Sequence, residues 1–320
     1  MNDRPKLLVT RRVFPEVIER LKPHFEIEGN ADDSIWPREA FVRRAADRDA
    51  LFVVGSDRID RALLDACPRL KIVATGTVGY NHIDVAACAE RGIAVTNTPD
   101  VLTEATADLG WALLMAAARR LSETERWLRE GRWNSWAFDQ FLGADVYGTT
   151  LGIVGMGRIG SAIARRARGF SMQILYHNRS RAANEAELGA RRVELDELLA
   201  SADHVVLVVP YTPQTHHLIG ARELALMKPG AVLVNIARGG IVDDAALAQA
   251  LRTGPIGAAG LDVYENEPQV HPALLDVPNV VLTPHIGSAT RSSRLGMAML
   301  AAENLIAWAA GKPLSTPVAA

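Results

Sequence analysis

Short apolar runs alternate with stretches of helical periodicity along most of the chain. Lys6–Thr10 (KLLVT), Ala50–Ser56 (ALFVVGS), Lys71–Gly76 (KIVATG) and Ile93–Asn97 (IAVTN) read as buried strands, and the spacing predicts helices near Pro15–His24 and Pro37–Arg48. Strands alternating with helices build a parallel sheet covered on both faces. Thr98-Pro99-Asp100 punctuates the chain, and a long helix is predicted from Thr103 to about Arg120. A second series of strands follows at Thr150–Val154, Met172–Tyr176, His204–Val209, Ala231–Ile236, Ile256–Leu261 and Val280–Leu282. That number and order fit a second, doubly wound nucleotide-binding sheet. A last helix runs from Thr290 to about Trp308; with the second sheet already complete, it should cross back to the first. The expected architecture is therefore α/β, with two doubly wound parallel-sheet domains and a cleft between them. Residues 1–99 and 289–320 form a smaller, discontinuous, flavodoxin-like substrate domain, and residues 100–288 a Rossmann domain.

The strand Leu151–Val154 stops abruptly at Gly155, Gly157 and Gly160, in the sequence GMGRIG. In such a turn the first glycine permits the bend, the second admits a pyrophosphate close to the backbone, and the third lets the helix pack on the strand. The helix beginning at Arg158 and Ile159 would aim its N–H groups at the phosphates. About 20 residues on, where a ribose contact is expected, the next strand ends in Asn178, Arg179, Ser180 and Arg181. A carboxylate here would favour NAD; forked arginine donors and a serine hydroxyl instead suit a 2′-phosphate, so NADPH should be preferred, with NAD possible. A solvated arginine loop is the bland alternative.

Ligands in such sheets lie beyond the carboxyl ends of the strands, which directs attention to the residues that follow each one. Pro210 and Thr215 are expected on the cofactor's adenosine and phosphate side. Ala237-Arg238-Gly239-Gly240 offers an arginine whose flanking glycines leave its guanidinium unobstructed for a carboxylate; a buried salt bridge is the alternative. Asp262 and Glu267 follow the next strand, and Thr283-Pro284-His285-Ile286-Gly287 the last. His285 at the same edge as an arginine and a glutamate is a candidate acid/base, although alone it would read as structural.

With 35 Lys+Arg against 37 Asp+Glu and a net charge of −2, no broad field attracts nucleic acid or an anionic membrane. Cys67 and Cys88 sit in helical patterns and read as small buried groups, and the scattered histidines, including His216 and His217 in a loop, show no metal-ligand spacing. No metal is expected. The start lacks an apolar signal core, and the helix around Leu109–Ala118 is too short to span a bilayer, so a cytoplasmic protein is expected. Trp127, Trp133, Trp136, Phe138 and Phe141 crowd a stretch of loop-forming residues, which suggests a subunit interface, with a core-packed crossover as the alternative.

Taken together, ATGTVGYNHID, GIVGMGRIG, VNIARGGIVDDAAL, GLDVYENEP and TPHIGSAT resemble successive motifs of the D-isomer-specific 2-hydroxyacid dehydrogenases, over nearly the whole chain. The resemblance implies that Arg238, Glu267 and His285 form the catalytic set, and that Val78 and Gly79 bind the substrate carboxylate through their N–H groups. It also implies that Asp262 lies on the nicotinamide side, with Ala237, His285 and Gly287 lining the cofactor. A keto acid needs a hydride at C2 and a proton at its oxygen; His285 as imidazolium would donate the proton, since a free histidine titrates near pH 6.5. The motif style and the 178–181 loop look most like glyoxylate/hydroxypyruvate reductases. With the aromatic cluster, a homodimer is expected, in which Trp136 or a neighbour could wall a partner's pocket. Two alternatives stay open: a 2-ketogluconate reductase, or a dinucleotide-sensing co-repressor without turnover.

Overall fold

A computed structural model describes residues 4–319, and their contacts divide the chain into two compact units, Met1–Leu102 with Ala289–Ala320, and Thr103–Ser288. The first unit is a five-stranded sheet of β1 (Lys6–Val9), β2 (Glu26–Gly29), β3 (Ala50–Val53), β4 (Ile72–Thr75) and β5 (Ala94–Thr96), in the order β2-β1-β3-β4-β5. Every pairing is parallel. Successive strand residues serve opposite faces. Leu7 and Val9 pack with Val17, Leu21 and with Ala302 and Leu305 of the helix Arg291–Ala309, whereas Leu8 between them packs with Leu63, Leu64 and Cys88. Each fully buried Val or Leu side chain among them stabilises the fold by about 1.5–3 kcal/mol.

β2 was not legible as a strand. Its sequence, EIEG, carries two glutamates in four residues, and an edge strand needs only one partner. Glu28 ion-pairs with Arg44 and Arg48, a stabilisation that depends on where those arginines land.

The second unit is a seven-stranded parallel sheet rather than one of six. Its strands are β6 (Thr150–Val154), β7 (Gln173–His177), β8 (Ala190–Arg192), β9 (His204–Leu207), β10 (Val232–Asn235), β11 (Ala258–Leu261) and β12 (Val280–Leu282), in the order β12-β11-β10-β9-β6-β7-β8. The additional edge strand β8 is the three residues ARR, with no apolar run to announce it. The order reverses between β6 and β9, the switch point at which such sheets bind ligands. Val205 and Leu207 face one helical layer, while Val206 faces the other beside the helices Thr103–Ala118 and Arg158–Ala167.

Candidate active site

Arg238 follows β10, Glu267 follows β11 and His285 follows β12, three neighbouring strands whose ends open on one edge. His285 Nδ1 stands 2.7 Å from Glu267 Oε2, and both side chains are partly exposed. The other carboxylate oxygen of Glu267 accepts the Tyr264 N–H at 3.0 Å. Burial would raise the Glu267 carboxyl. The His285 bond and charge, the Tyr264 N–H and the Arg238 charge outweigh it and hold the group below the ordinary glutamate range. Arg238 is half-buried, and desolvation pulls its guanidinium below the usual arginine value against the opposing charge of Glu267. It remains a cation at neutral pH. Among the described residues it forms no ion pair, so the buried salt bridge is not what this arginine makes; its Nη1 donates to the Ala237 carbonyl at 2.7 Å.

The glycines beside Arg238 have a different purpose from the one expected of them. A Cβ on Gly239 would collide with the Tyr264 backbone, so this glycine permits two strand-end loops to touch, and Gly240 bends the chain at φ +79°. Buried Asn235 braces the same turn, accepting the Ala237 N–H at 3.0 Å and donating to the Arg238 carbonyl at 3.1 Å.

Asp262 is 1% exposed, and its carboxylate is largely spent within the protein. One oxygen accepts the Ile286 N–H and the Thr283 hydroxyl, each at 2.7 Å, and the other accepts the Gly287 N–H at 2.8 Å. These bonds clamp the loop on either side of His285, whose φ of +51° is unfavourable for a residue with a Cβ. The carboxylate therefore orients the histidine loop.

The glycine turn after β6 has the geometry of a phosphate cradle. Gly155 adopts φ +100°, a Cβ on Gly160 would stand 2.4 Å from the Gly155 carbonyl oxygen, and one on Gly157 would meet nothing within 4 Å. Gly157 thus leaves open space for a bound pyrophosphate at the end of the helix Arg158–Ala167, where Ile159 lies in the first turn. Beyond β7 the four polar residues divide. Asn178 is turned inward, accepting the Met156 N–H at 2.7 Å and donating to the Met156 carbonyl at 3.2 Å, so it braces the glycine turn. Arg181 is tied to Glu185 at 2.5 Å. Arg179 and Ser180 are exposed. At the end of β9, Pro210 is exposed, but the Thr215 hydroxyl closes its own turn, donating to the Pro210 carbonyl and accepting the Thr212 N–H, each at 2.8 Å.

Val78 and Gly79 belong to the other unit, in the loop after β4. Their carbonyls are taken by Asn97 Nδ2 at 2.8 Å and by the Thr77 hydroxyl at 2.7 Å. Their N–H groups make no hydrogen bond among the described residues.

The D-isomer specific 2-hydroxyacid dehydrogenase NAD binding domain, as a family model, matches residues 111–287. The chain is 53% identical over 314 residues to the glyoxylate reductase of Thermococcus onnurineus, covering 97% of this chain and 94% of that protein. The chain belongs to the D-isomer specific 2-hydroxyacid dehydrogenases. Among solved structures, this dehydrogenase superposes on a glyoxylate reductase from Paecilomyes thermophila with a TM-score of 0.90 at 37% identity, over 99% of each chain. An NADPH-dependent glyoxylate/hydroxypyruvate reductase from Sinorhizobium meliloti, in complex with NADP and malonate, superposes with a TM-score of 0.86 at 40% identity, over 99% of this chain and 97% of that one. The dehydrogenase is an NAD(P)-dependent oxidoreductase with a two-sheet, Rossmann-type fold.

Tyr264, which the sequence does not single out, ties the dehydrogenase's candidate site together. Its N–H holds Glu267, and its buried hydroxyl donates to the Thr283 carbonyl at 2.9 Å, joining the Glu267 and His285 loops. An aromatic two residues after Asp262 was the available signal. Other side chains are not brought to the site. Cys67 and Cys88 are free and buried, their thiols pushed up to about 11 by desolvation, and Cys67 lies two residues past the helix Arg61–Asp65 rather than within one. His217 pairs with Glu265, and His216 stacks on it. Among the described residues no helix is long and apolar enough to cross a membrane.

Proposed function

We propose that this dehydrogenase reduces a small 2-keto acid, glyoxylate or hydroxypyruvate, to glycolate or D-glycerate, with NADPH as the preferred reductant and His285 as the proton donor. The observation that carries the reading is the 2.7 Å pair of His285 and Glu267 at the same sheet edge as an arginine that has no ion-pair partner among the described residues. The names of the Thermococcus and Sinorhizobium relatives support the substrate class. The open cradle at Gly157 fits a dinucleotide pyrophosphate. When bound, the nicotinamide supplies the hydride.

Glu267 occupies Nδ1, which leaves Nε2 of His285 as the ring nitrogen that gives its proton to the substrate oxygen. Because Glu267 stays ionised, it holds the Nδ1 side of the ring and fixes its orientation. Arg238 takes the substrate carboxylate and polarises the carbonyl, holding the keto acid in a reactive pose. In the other unit, the N–H groups of Val78 and Gly79 make no hydrogen bond among the described residues and are donors suited to a carboxylate. Gly155, Gly157, Arg158, Ile159 and Gly160 hold the phosphates; Arg179 and Ser180 take the 2′-phosphate. Pro210, Thr215, Ala237, Gly287 and the Asp262-braced loop line the rest of the cofactor, with Asn178 shaping the turn from behind. A homodimer is part of the reading, because Trp133, Trp136, Phe138 and Tyr147 are 59%, 68%, 89% and 73% exposed, an apolar surface that a second copy would cover.

The deciding assay follows nicotinamide absorbance with glyoxylate, hydroxypyruvate, 2-ketogluconate, pyruvate and phenylpyruvate, each with NADPH and with NADH. Fastest turnover of glyoxylate and hydroxypyruvate with NADPH is expected. Cofactor binding without turnover of any of them would overturn the enzymatic reading.

A further inference from the structure

The loop that follows β7 is gripped from behind by a residue of the strand the sequence did not announce. Arg192, the last residue of β8, donates from Nε to the Asn178 carbonyl at 3.0 Å, and its Nη2 reaches the Arg179 carbonyl at 3.5 Å. Its nearest carboxylate, Glu194, is 3.8 Å away and 76% exposed, so the guanidinium is spent mainly on those carbonyls. β8 is itself fixed against β7, with the Val193 N–H donating to the Tyr176 carbonyl at 2.9 Å and the His177 ring 3.1 Å from the Val193 carbonyl. The far end of the loop is anchored as well, where the Tyr176 hydroxyl accepts the Ala182 N–H at 3.1 Å and bonds Glu185.

In a trans peptide the C=O and the following N–H point in opposite directions. Drawing the carbonyls of Asn178 and Arg179 toward Arg192 therefore turns the N–H groups of Arg179 and Ser180 outward, away from β8. Neither N–H makes a hydrogen bond among the described residues. Outward amides beside the exposed Arg179 and Ser180 side chains are donors of the kind that bind phosphate. Arg192 adds a second positive charge behind it.

We propose that Arg192 is a positioning residue that sets the preference for a 2′-phosphorylated dinucleotide, a step that rests on the NADPH reading above. The test compares wild type with Arg192→Met, which keeps the stem but removes the donors, and with Arg192→Lys, which keeps the charge but cannot fork to two carbonyls. Isothermal titration with 2′,5′-ADP and with 5′-AMP reads the adenosine end without turnover, and KM for NADPH and NADH is measured beside it. Loss of a charge-assisted hydrogen bond predicts that Arg192→Met weakens 2′,5′-ADP by about tenfold or more while 5′-AMP changes less than about twofold. KM for NADPH should rise with kcat unchanged, and Arg192→Lys should recover only part of the loss. Equal weakening of both probes, or none, would overturn the assignment of Arg192. Wild type binding both probes equally, with Arg179→Ala changing neither, would instead overturn the NADPH reading itself.

Discussion

A Cβ placed on Gly239 would stand 1.6 Å from the carbonyl oxygen of Tyr264. The loop carrying Arg238 and the loop carrying Glu267 are thus in backbone contact, and glycine is what admits it. Gly239→Ala must push them apart. Overpacking costs about 1–3 kcal/mol, and here backbone must move. The expected outcome is a lowered Tm with a fall in kcat/KM for the keto acid that exceeds any fall in dinucleotide affinity. A variant with wild-type kcat/KM would show that the contact does not position Arg238.

His285→Ala should lower kcat by about 10²- to 10⁴-fold, the usual worth of a general acid. Glu267→Gln keeps the shape but removes the charge, and should cost about 10- to 100-fold, the effect of losing one charge-assisted hydrogen bond. The pH dependence carries a sign. Glu267 is depressed in the folded state, so its bond to His285 is intact above the ordinary glutamate range and is lost as pH falls through the folded value. Wild-type kcat/KM should decline on that acid side, and stability with it. In Glu267→Gln the acid decline should be weaker in both; an unchanged acid limb would remove Glu267 from the proton-transfer step.

Asp262→Ala strips acceptors from the Ile286 and Gly287 N–H groups and from the Thr283 hydroxyl. Buried unsatisfied donors cost about 1–3 kcal/mol each, so a destabilisation of a few kcal/mol is expected, with His285 losing its fixed backbone. Hydrogen exchange should rise over residues 283–287 while the Gly155–Gly160 turn keeps its protection. Unchanged exchange at 283–287 would mean that the loop holds itself.

Asp244 offers a pH test outside the proposed catalytic residues. Burial pushes its carboxyl up to about 6, although it accepts the Glu265 N–H at 3.2 Å. A folded-state value above the unfolded one means that the stabilisation is fully present below the unfolded value and is lost as pH rises through about 6. Asp244→Asn can still accept the N–H without carrying charge. It should therefore be more stable than wild type at pH 8, by an amount on the order of 2 kcal/mol, and about equal at pH 4. Denaturant melts at the two values check this; a constant difference across pH would refute it.

Replacing Trp133 and Phe138 together by Ser should leave the monomer fold intact, since both side chains are more than half exposed. Sedimentation velocity is expected to give a dimer for wild type and a shift toward monomer for the double variant. A wild-type monomer at micromolar concentration would remove the interface.

Along the chain, what is local was already written. Leu7, Leu8 and Val9 alternate faces because strand geometry has period two, and the Gly155, Gly157 and Gly160 spacing follows from the steric needs of a single turn. Arg238, Glu267 and His285 could be named because each lies in the loop after a strand that a strong apolar run reveals. The edge strands β2 and β8 were not readable: EIEG and ARR have too little apolar pattern, and their place depends on a neighbour supplied by the fold. Folding also decided which polar atoms are spent. Asn178, Thr215 and Asp262 looked available for a ligand, yet they serve Met156, the turn at Pro210 and the loop around His285. Hydrogen-bond partners are settled through space. A one-dimensional pattern can therefore nominate a donor or acceptor, but only the packed backbone determines what it faces.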